Sequence, residues 1–421
     1  MLKASAMYIV IIIALVIGLL CSALIVAAFF YRVEYQKKFR YDQLDNNVNS
    51  GVNILLAESD TSYLSGGTFS LFNNNQDSVS LKRTFWGMYD VGISVAFSQK
   101  DTLYKTFSIA CNVDSSKWAA LYLVNKENPV AVSGQTTIKG NAYLPNGQIT
   151  TSYIDNKFYS GDKRLVIGHK YSSERDLPPL SVKRFSNFQS LMHERGKVNT
   201  SLLVNDSVRA SFTMDTRIVN FGRQPDTLKR RHMSGNIIIY SDTTLVVDSS
   251  ATLEHVMVFA KTIILKDGFH GSCQFYACDS ISVGERCTLD YPSCLAILRL
   301  DSNKTAPQAR IHLANNCRIG GFIFTYEKSK NERLPIIAFD KQVKVTGQVY
   351  SQGILETTDK DTVDGSIFTS VYWYNNTGSR YQNYLINVTI DTKALSPYYL
   401  SVDLFPVAGK KKKVLQWLET K

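Results

Sequence analysis

An uncharged apolar segment lies near the start of the chain. From Ala6 to Tyr31 the sequence reads AMYIVIIIALVIGLLCSALIVAAFFY, with no acidic or basic side chain. About 20 apolar residues are enough for a helix to cross a hydrocarbon core of about 30 Å. A cleaved secretory signal has a shorter apolar region, followed by a small-residue cleavage site. The pattern therefore predicts a transmembrane α-helix over residues 7–31 that anchors the chain.

The two ends of this segment carry large side chains suited to a membrane interface. Aromatic residues concentrate at both membrane–water boundaries, because their rings are apolar and their edges tolerate water. The lipid bilayer is therefore the predicted partner of the segment. The predicted membrane-anchor residues are Met7, Tyr8, Phe29, Phe30 and Tyr31.

Residues 32–60 show a helical period of their own. Apolar side chains recur there at steps of three and four, at Tyr41, Leu44, Val48, Val52 and Leu55. Such steps place side chains on one face of a helix. Gly51 and several asparagines are poor helix formers, so this amphipathic extension needs packing to hold it. Two arrangements stay open: one unbroken rod of about 75 Å over residues 7–57, or a separate short helix folded onto the next domain.

After residue 60 the pattern changes to strands. The residues Val91, Ile93, Val95 and Phe97 alternate with Gly92, Ser94, Ala96 and Ser98. This alternation predicts a strand with one buried face. Turn-forming groups, such as Pro145-Asn146-Gly147, separate the apolar runs.

Two pairs of segments repeat at nearly constant spacing. The run Val345–Tyr350 is echoed 18 residues later by Val363–Phe368. Val258–Ala260, with Ile263, is echoed by Phe275–Ala277, with Ile281, at an offset of 17 or 18. A repeated unit of this size buries its apolar face by stacking on its neighbours. The repeats predict a parallel β-helix, and the alternative is a sandwich with coincidental echoes.

The predicted fold class is mainly β, with an N-terminal transmembrane α-helix, a β-rich region and a parallel β-helix. The expected divisions are a basic leader (1–6), the transmembrane helix (7–31), the amphipathic extension (32–60), a β-rich domain (61–225), a β-helix-like repeat domain (226–370) and a β-rich C-terminal segment with a basic tail (371–421).

The layout of the first 60 residues resembles type IV pilins and minor pseudopilins. Members of that family have a short basic leader, an immediate apolar segment, an amphipathic extension and a β-rich head. The resemblance implies cleavage by a prepilin peptidase between Ala6 and Met7, and assembly with other pilin-like or envelope subunits. The family usually has Glu at the fifth mature position, where this chain has Ile11. That departure weakens the processing and filament assignments.

The repeat region resembles a second group of proteins. Its pattern is similar to right-handed β-helices and to bacterial polymer-forming proteins of the bactofilin kind, without a diagnostic residue. This resemblance implies a membrane-tethered cytoskeletal protein that polymerises through its coil ends, with the C-terminal part in the cytoplasm. A surface polysaccharide-binding β-helix is a further alternative.

Basic residues exceed acidic ones, 47 to 36, which gives a formal charge of +11. Basic runs favour phosphates and anionic lipid headgroups. No aromatic-interleaved motif accompanies them, so a nucleic-acid partner has no support beyond charge, and a solvated surface is the simpler interpretation. The candidate anion or lipid contacts are Arg223, Lys229, Arg230 and Arg231, and Lys410, Lys411, Lys412 and Lys413.

The sequence shows no motif for catalysis or for a cofactor. It has neither a phosphate-binding loop nor a G-x-S-x-G motif, and no cysteine or histidine spacing typical of a zinc site. The seven cysteines are expected to pack mainly as small apolar residues, with disulfides as the alternative. Glu356, Asp359, Asp361 and Asp364 form the densest acidic group and predict a solvated hairpin loop.

The predicted function is therefore structural. The chain is expected to be a single-pass, non-catalytic membrane protein, a pseudopilin-like component of a bacterial surface or secretion apparatus. Its large domain would face the periplasm or the exterior. One observation opposes that orientation, because four basic residues follow the span (Arg32, Lys37, Lys38 and Arg40), and positive charge favours the cytoplasmic side.

Overall fold

The computed structural model describes residues 2–57, 63–64, 66–71, 77–194, 206–301, 306–329, 332–376 and 378–420. The chain divides into two compact units. Unit 1 contains the residues up to Thr84, Gly92–Phe107 and the last residues from Glu419. Unit 2 contains Phe85–Val91 and Ser108–Leu418.

A single helix, α1, spans Leu2–Ala57 without interruption. At 1.5 Å per residue its 56 residues measure about 84 Å. The apolar segment and the amphipathic extension are therefore one rod, and the alternative of a separate short helix is wrong.

The other elements of unit 1 are strands. They are β1 (Gly67–Phe69), β2 (Asp77–Trp86), β3 (Tyr89–Ser98) and β4 (Asp101–Val113), and the last three continue into unit 2. They form a sheet in the order β1-β2-β3-β4, in which β1 and β2 are antiparallel.

The C-terminal part of α1 packs against this sheet. Leu44, Val48, Val52 and Leu55 are all buried, as the helical period predicts. Tyr41 is 57% exposed, so its assignment to the packed face is wrong.

The strand predicted around residue 93 is present as β3, but its more buried face is not the predicted one. Ser94 and Ala96 are fully buried, whereas the larger Val95 and Phe97 are only half-buried. The helix lies close to the small side chains, and the Ser94 hydroxyl donates to the carbonyl of Val48 at 3.0 Å.

Gly51 explains how the helix comes so near. A Cβ atom at this position would lie 2.2 Å from the Ser94 Oγ and 2.7 Å from the Leu81 Cδ2. Any larger residue would push α1 away from β2 and β3, so the poor helix former is there for packing.

Unit 2 is built almost entirely from strands. The early ones are β5 (Leu121–Leu123), β6 (Val130–Ser133), β7 (Thr137–Lys139), β8 (Ala142–Leu144), β9 (Ile149–Thr151) and β10 (Lys170–Ser172), with a 3-10 turn at Pro145–Gly147. Helix α2 (Val182–Glu194) follows. Next come β11 (Ser207–Ala210), β12 (Arg217–Asn220), β13 (Asp226–Leu228), β14 (His232–Gly235), β15 (Ile237–Tyr240), β16 (Thr244–Val247), β17 (Thr252–Leu265) and β18 (His270–Val283).

The later strands complete the unit. They are β19 (Thr288–Arg299), β20 (Arg310–Leu313), β21 (Arg318–Glu327), β22 (Ile336–Phe339), β23 (Lys344–Thr357), β24 (Thr362–Asn376), β25 (Ser379–Gln382), β26 (Tyr384–Ile386), β27 (Thr389–Asp391), β28 (Leu400–Ser401) and β29 (Ala408–Thr420).

Most of these strands stack in parallel as the coils of a β-helix. Val345 pairs with Val363, and Ile263 pairs with Ile281, which are the partners that the sequence echoes indicate. The offset falls from 18 to 17 between Glu254 and Val256, because β17 has one extra residue at His255. The predicted fold class, mainly β with a long N-terminal apolar helix and a parallel β-helix-like sheet, is confirmed.

The last coils of the stack come from both sides of the repeat region. Strand β24 pairs in parallel with β5 and with β27, and these continue to β8 and β7. Beyond them, Val166 is buried in the apolar interior, and Tyr159 and Leu165 pack against it. The stack thus pairs Ile367 with Leu121, which precedes it in the sequence by 246 positions.

Candidate assembly surface

The most unusual surface of the protein is the N-terminal part of α1. Every residue from Ala6 to Phe39 is exposed, although most of them are apolar. Soluble monomers rarely expose a contiguous apolar patch of more than a few hundred Å². Helix α1 is also long and apolar enough to cross a membrane. We call this surface the apolar rod (Ala6–Phe39).

The five predicted anchor residues all lie on the apolar rod. Met7 and Tyr8 are exposed at its start, and Phe29, Phe30 and Tyr31 are exposed near the end of the uncharged run. Phe29 and Phe30 contact each other edge to face, with their ring centroids 6.0 Å apart. The Ala6–Met7 bond, the proposed cleavage point, lies within α1.

Polar contacts mark the point where α1 changes from exposed to packed. Arg40 Nε lies 3.2 Å from the carboxylate of Asp101. Further along α1, the side chains of Asp45 and Asn49 accept hydrogen bonds from Lys105 Nζ on β4, at 2.9 Å and 2.7 Å. These contacts, all within unit 1, fix the helix to the sheet directly after the apolar rod ends.

A buried carboxylate sets the register of the packed part. Asp77 on β2 is 2% exposed, and one of its oxygens accepts hydrogen bonds from the amides of Asn47 and Gln43. A buried polar group is costly unless it is hydrogen-bonded. Sliding α1 along the sheet would break both bonds, so this contact favours one position of the helix.

The two basic groups lie in different sheets. Arg223, Lys229 and Arg230 are exposed at turns on either side of β13, and Arg231 pairs with Asp206 at 2.8 Å. The second group, Lys410–Lys413, lies on β29, which pairs with β4. The anion and lipid contacts predicted for these residues stay predictions.

The acidic group is not a solvated hairpin loop, and that prediction is wrong. Asp361 is 1% exposed, and Glu356 is 2% exposed. Asp361 lies at a corner between coils, where its carboxylate accepts the backbone N–H groups of Val343 at 3.0 Å and Thr358 at 3.1 Å. Asp359 is half-buried and pairs with Lys157 at 3.3 Å. Asp361 thus caps two backbone amides at a corner of the stack.

Burial gives Asp361 an unusual titration. Desolvation raises the pKa of its carboxyl to about 7, although the two N–H bonds oppose the shift. A raised pKa means that the folded protein holds the proton more tightly than the unfolded chain. Its contribution to stability is therefore complete below about pH 4 and is lost as the pH rises towards 7, by about 4 kcal/mol.

We expect the substitution Asp361→Asn to remove this pH dependence. Urea unfolding of the full chain in detergent, followed between pH 4.5 and 8, should show the parent protein losing stability relative to the variant as the pH rises. The constant cost of the substitution cancels in that comparison. Parallel curves for the two proteins would contradict the assignment.

The cysteines of the head are mostly interior residues. Cys111, Cys273, Cys287, Cys294 and Cys317 are buried, and Cys278 is half-buried. Successive coils place one residue each at an equivalent corner, namely Phe269, Cys287, Cys317 and Val343. The residues directly after them pair in register from one coil to the next. At this corner Cys287 and Cys317 lie in the apolar interior of the stack. Among the described residues, no three His, Cys, Asp or Glu side chains group as metal ligands.

One concave feature has no counterpart in the sequence analysis. A groove of about 480 Å³ in unit 2 is lined by apolar side chains, including Leu177, Leu180 and Tyr350, with Lys328 and Arg175 among its polar residues. These residues come from widely separated segments, so no local motif could indicate it.

Comparisons with known proteins give little further guidance. No protein-family model matches the chain, and no curated protein matches it. Among solved structures, a weak match is the competence-associated pilin ComZ from Thermus thermophilus, with 9% sequence identity. The alignment covers 93% of this chain and 96% of that chain, with a TM-score of 0.22. A similarity at this level supports no argument about function, which therefore rests on the residues described above.

Proposed function

We propose that the protein is a non-catalytic, membrane-anchored structural protein, a pseudopilin-like component of a bacterial surface or of a secretion or uptake apparatus. The observation that carries the proposal is the division of α1. One unbroken helix exposes an apolar rod over Ala6–Phe39 and packs on its own sheet from Arg40 onward. The rod holds the protein in the bilayer and packs against similar helices of other subunits, while the β-rich head offers the partner-binding surface.

Anchoring and packing fall to different residues in this proposal. Met7, Tyr8, Phe29, Phe30 and Tyr31 contact lipid at the ends of the span, and Leu44, Val48, Val52 and Leu55 join the helix to the head. Cleavage between Ala6 and Met7 would release the basic leader. Ile11 leaves the span without a buried charge, so association in the membrane would depend on apolar packing.

The main alternative is a membrane-tethered cytoskeletal β-helix that polymerises end to end. The basic residues after the span support it. The end of the stack does not argue against it, because β10 pairs in parallel with β8 there and all three of its residues are exposed. A polysaccharide-binding β-helix is a third hypothesis, supported only by the general fold.

Sidedness separates the first two functions. We expect the variant Tyr398→Cys, whose parent side chain is 85% exposed, to react with a membrane-impermeant maleimide as soon as the outer barrier of intact cells is opened. The parent chain is the control, because most of its head thiols are buried. Labelling that needs a breached inner membrane would contradict the proposal and favour the cytoskeletal alternative. The mass of the purified protein would show in addition whether the Ala6–Met7 bond is cut.

A further inference from the structure

Two buried thiols lie side by side on successive coils of the stack. Thr288 on β19 pairs in parallel with Arg318 on β21, and the residues just before them are Cys287 and Cys317. The N–H of Arg318 donates to the carbonyl of Cys287 at 2.9 Å, which fixes the register at the cysteines themselves. Adjacent strands lie about 4.7–4.9 Å apart, and disulfides usually join Cα atoms about 4.4–6.8 Å apart. The backbone spacing therefore suits a disulfide.

The two side chains also point the same way. Both belong to the apolar interior of the stack, and both are fully buried. Each is also held by the coil before it. Cys287 Sγ lies 3.2 Å from the carbonyl oxygen of Lys266, and Cys317 Sγ lies 3.0 Å from that of Gly284.

A second pair of cysteines on neighbouring coils provides a built-in comparison. Cys294 pairs with Gln274, so the neighbour of Cys273 is Ser293, whose hydroxyl accepts the N–H of Cys273 at 3.2 Å. Cys273 belongs to the apolar interior, whereas Cys294 lies on the same face as Gln274, the opposite side of the sheet. These two thiols cannot meet without breaking the strand.

We propose that Cys287 and Cys317 form a disulfide that joins two successive coils as the protein folds outside the cytoplasm. The compartment in this proposal rests on the proposed function, whereas the pairing rests on the register of β19 and β21. Two S–H bonds break and one S–S bond forms. The two protons and two electrons pass to a disulfide donor, such as an exported dithiol oxidase or oxidised glutathione, whose S–S bond breaks to give two thiols.

The pairing can be tested apart from the compartment. The full chain is denatured, reduced, and refolded in detergent with a mixture of reduced and oxidised glutathione, then quenched with acid and alkylated. Peptide mass spectrometry is expected to show Cys287 and Cys317 linked in most molecules, with Cys273 and Cys294 alkylated. Alkylation of both Cys287 and Cys317 in folded protein would overturn the pairing, without bearing on membrane anchoring.

The variant Cys317→Ser supplies the matched control. Serine is close in size and can still donate to the Gly284 carbonyl, so the coil should fold, and Cys287 should then be recovered alkylated rather than linked elsewhere. Cys294→Ser is expected to leave the Cys287–Cys317 bond in place.

Protein trapped from cells by the same acid quench then tests the compartment. A linked pair supports the disulfide and the outer location together. If the pair links on refolding yet is found as thiols in cells, the outer location is overturned and the pairing stands.

Discussion

Replacing both Val16 and Leu19 of the apolar rod by arginine is expected to release the protein from the membrane. The two side chains are exposed near the middle of the uncharged run, where lipid would surround them. Each arginine at the centre of a membrane helix costs about 2.5–3.5 kcal/mol on insertion scales, so the pair costs about 6 kcal/mol. Nothing in the charge-free segment can neutralise the two guanidinium groups.

The measurement is the fraction of protein that stays in membranes after extraction with alkaline carbonate. The double variant Tyr35→Arg, Phe39→Arg is the matched control, since both parent side chains are about as exposed as Leu19 but follow the first charges of the chain, beyond the uncharged run. The control should remain in the membrane fraction. If the double variant within the span is retained equally well, α1 is not the anchor, and the proposed function loses its main support.

The helix was predictable because its signals are local. An uncharged run and a period of three to four residues can be read within a window of a few turns. The error at Tyr41 arose because its spacing fits the buried face but its position lies before the first packed turn, at Leu44. The sequence did not decide whether the two helical segments form one helix, because the asparagines and Gly51 are poor helix formers. Only the close approach of Ser94 shows why a glycine is there.

The β-helix was predictable only where successive coils have the same length, so that equivalent residues recur at a constant spacing. Between β23 and β24 the offset is 18, and the echo of Val345 at Val363 is visible in the sequence. From Thr288 to Arg318 the offset grows to 30, because ten residues separate Arg299, the end of β19, from Arg310, the start of β20, and no echo survives. The coil formed by β5 is further hidden, since Leu121 precedes its partner Ile367 in the chain by 246 residues.

The chemistry of the interior was the least predictable part. Four acidic residues close together in sequence usually mark a solvated loop, and nothing local distinguishes Asp361 from Asp359. What decides the difference is the stacking of Asp361 over Val343, whose N–H donates to the Asp361 carboxylate. Pairing of Cys287 with Cys317 likewise depends on the register of β19 with β21. The offset of 30 between these strands departs from the 18-residue repeat, so the sequence does not indicate the pair.

Placing a carboxylate at Val48 is expected to unfold unit 1. Val48 is fully buried between α1 and the sheet, and its carbonyl accepts the Ser94 hydroxyl. Val48→Asp loses the burial of an apolar side chain, about 1.5–3 kcal/mol, and forces a carboxyl group into a site that has no cation. The total is about 5 kcal/mol, which is comparable to the whole stability of a small domain.

Hydrogen exchange of the full chain in detergent, read by mass spectrometry, measures this loss locally. Backbone amides of β2 and β3 within unit 1 should lose their protection, while those of β23 and β24 keep it. Tyr41→Asp introduces the same charge two turns earlier on an exposed site, and its exchange should match that of the parent chain. Parent-like protection of β2 in Val48→Asp would show that α1 is not held to the sheet by this face.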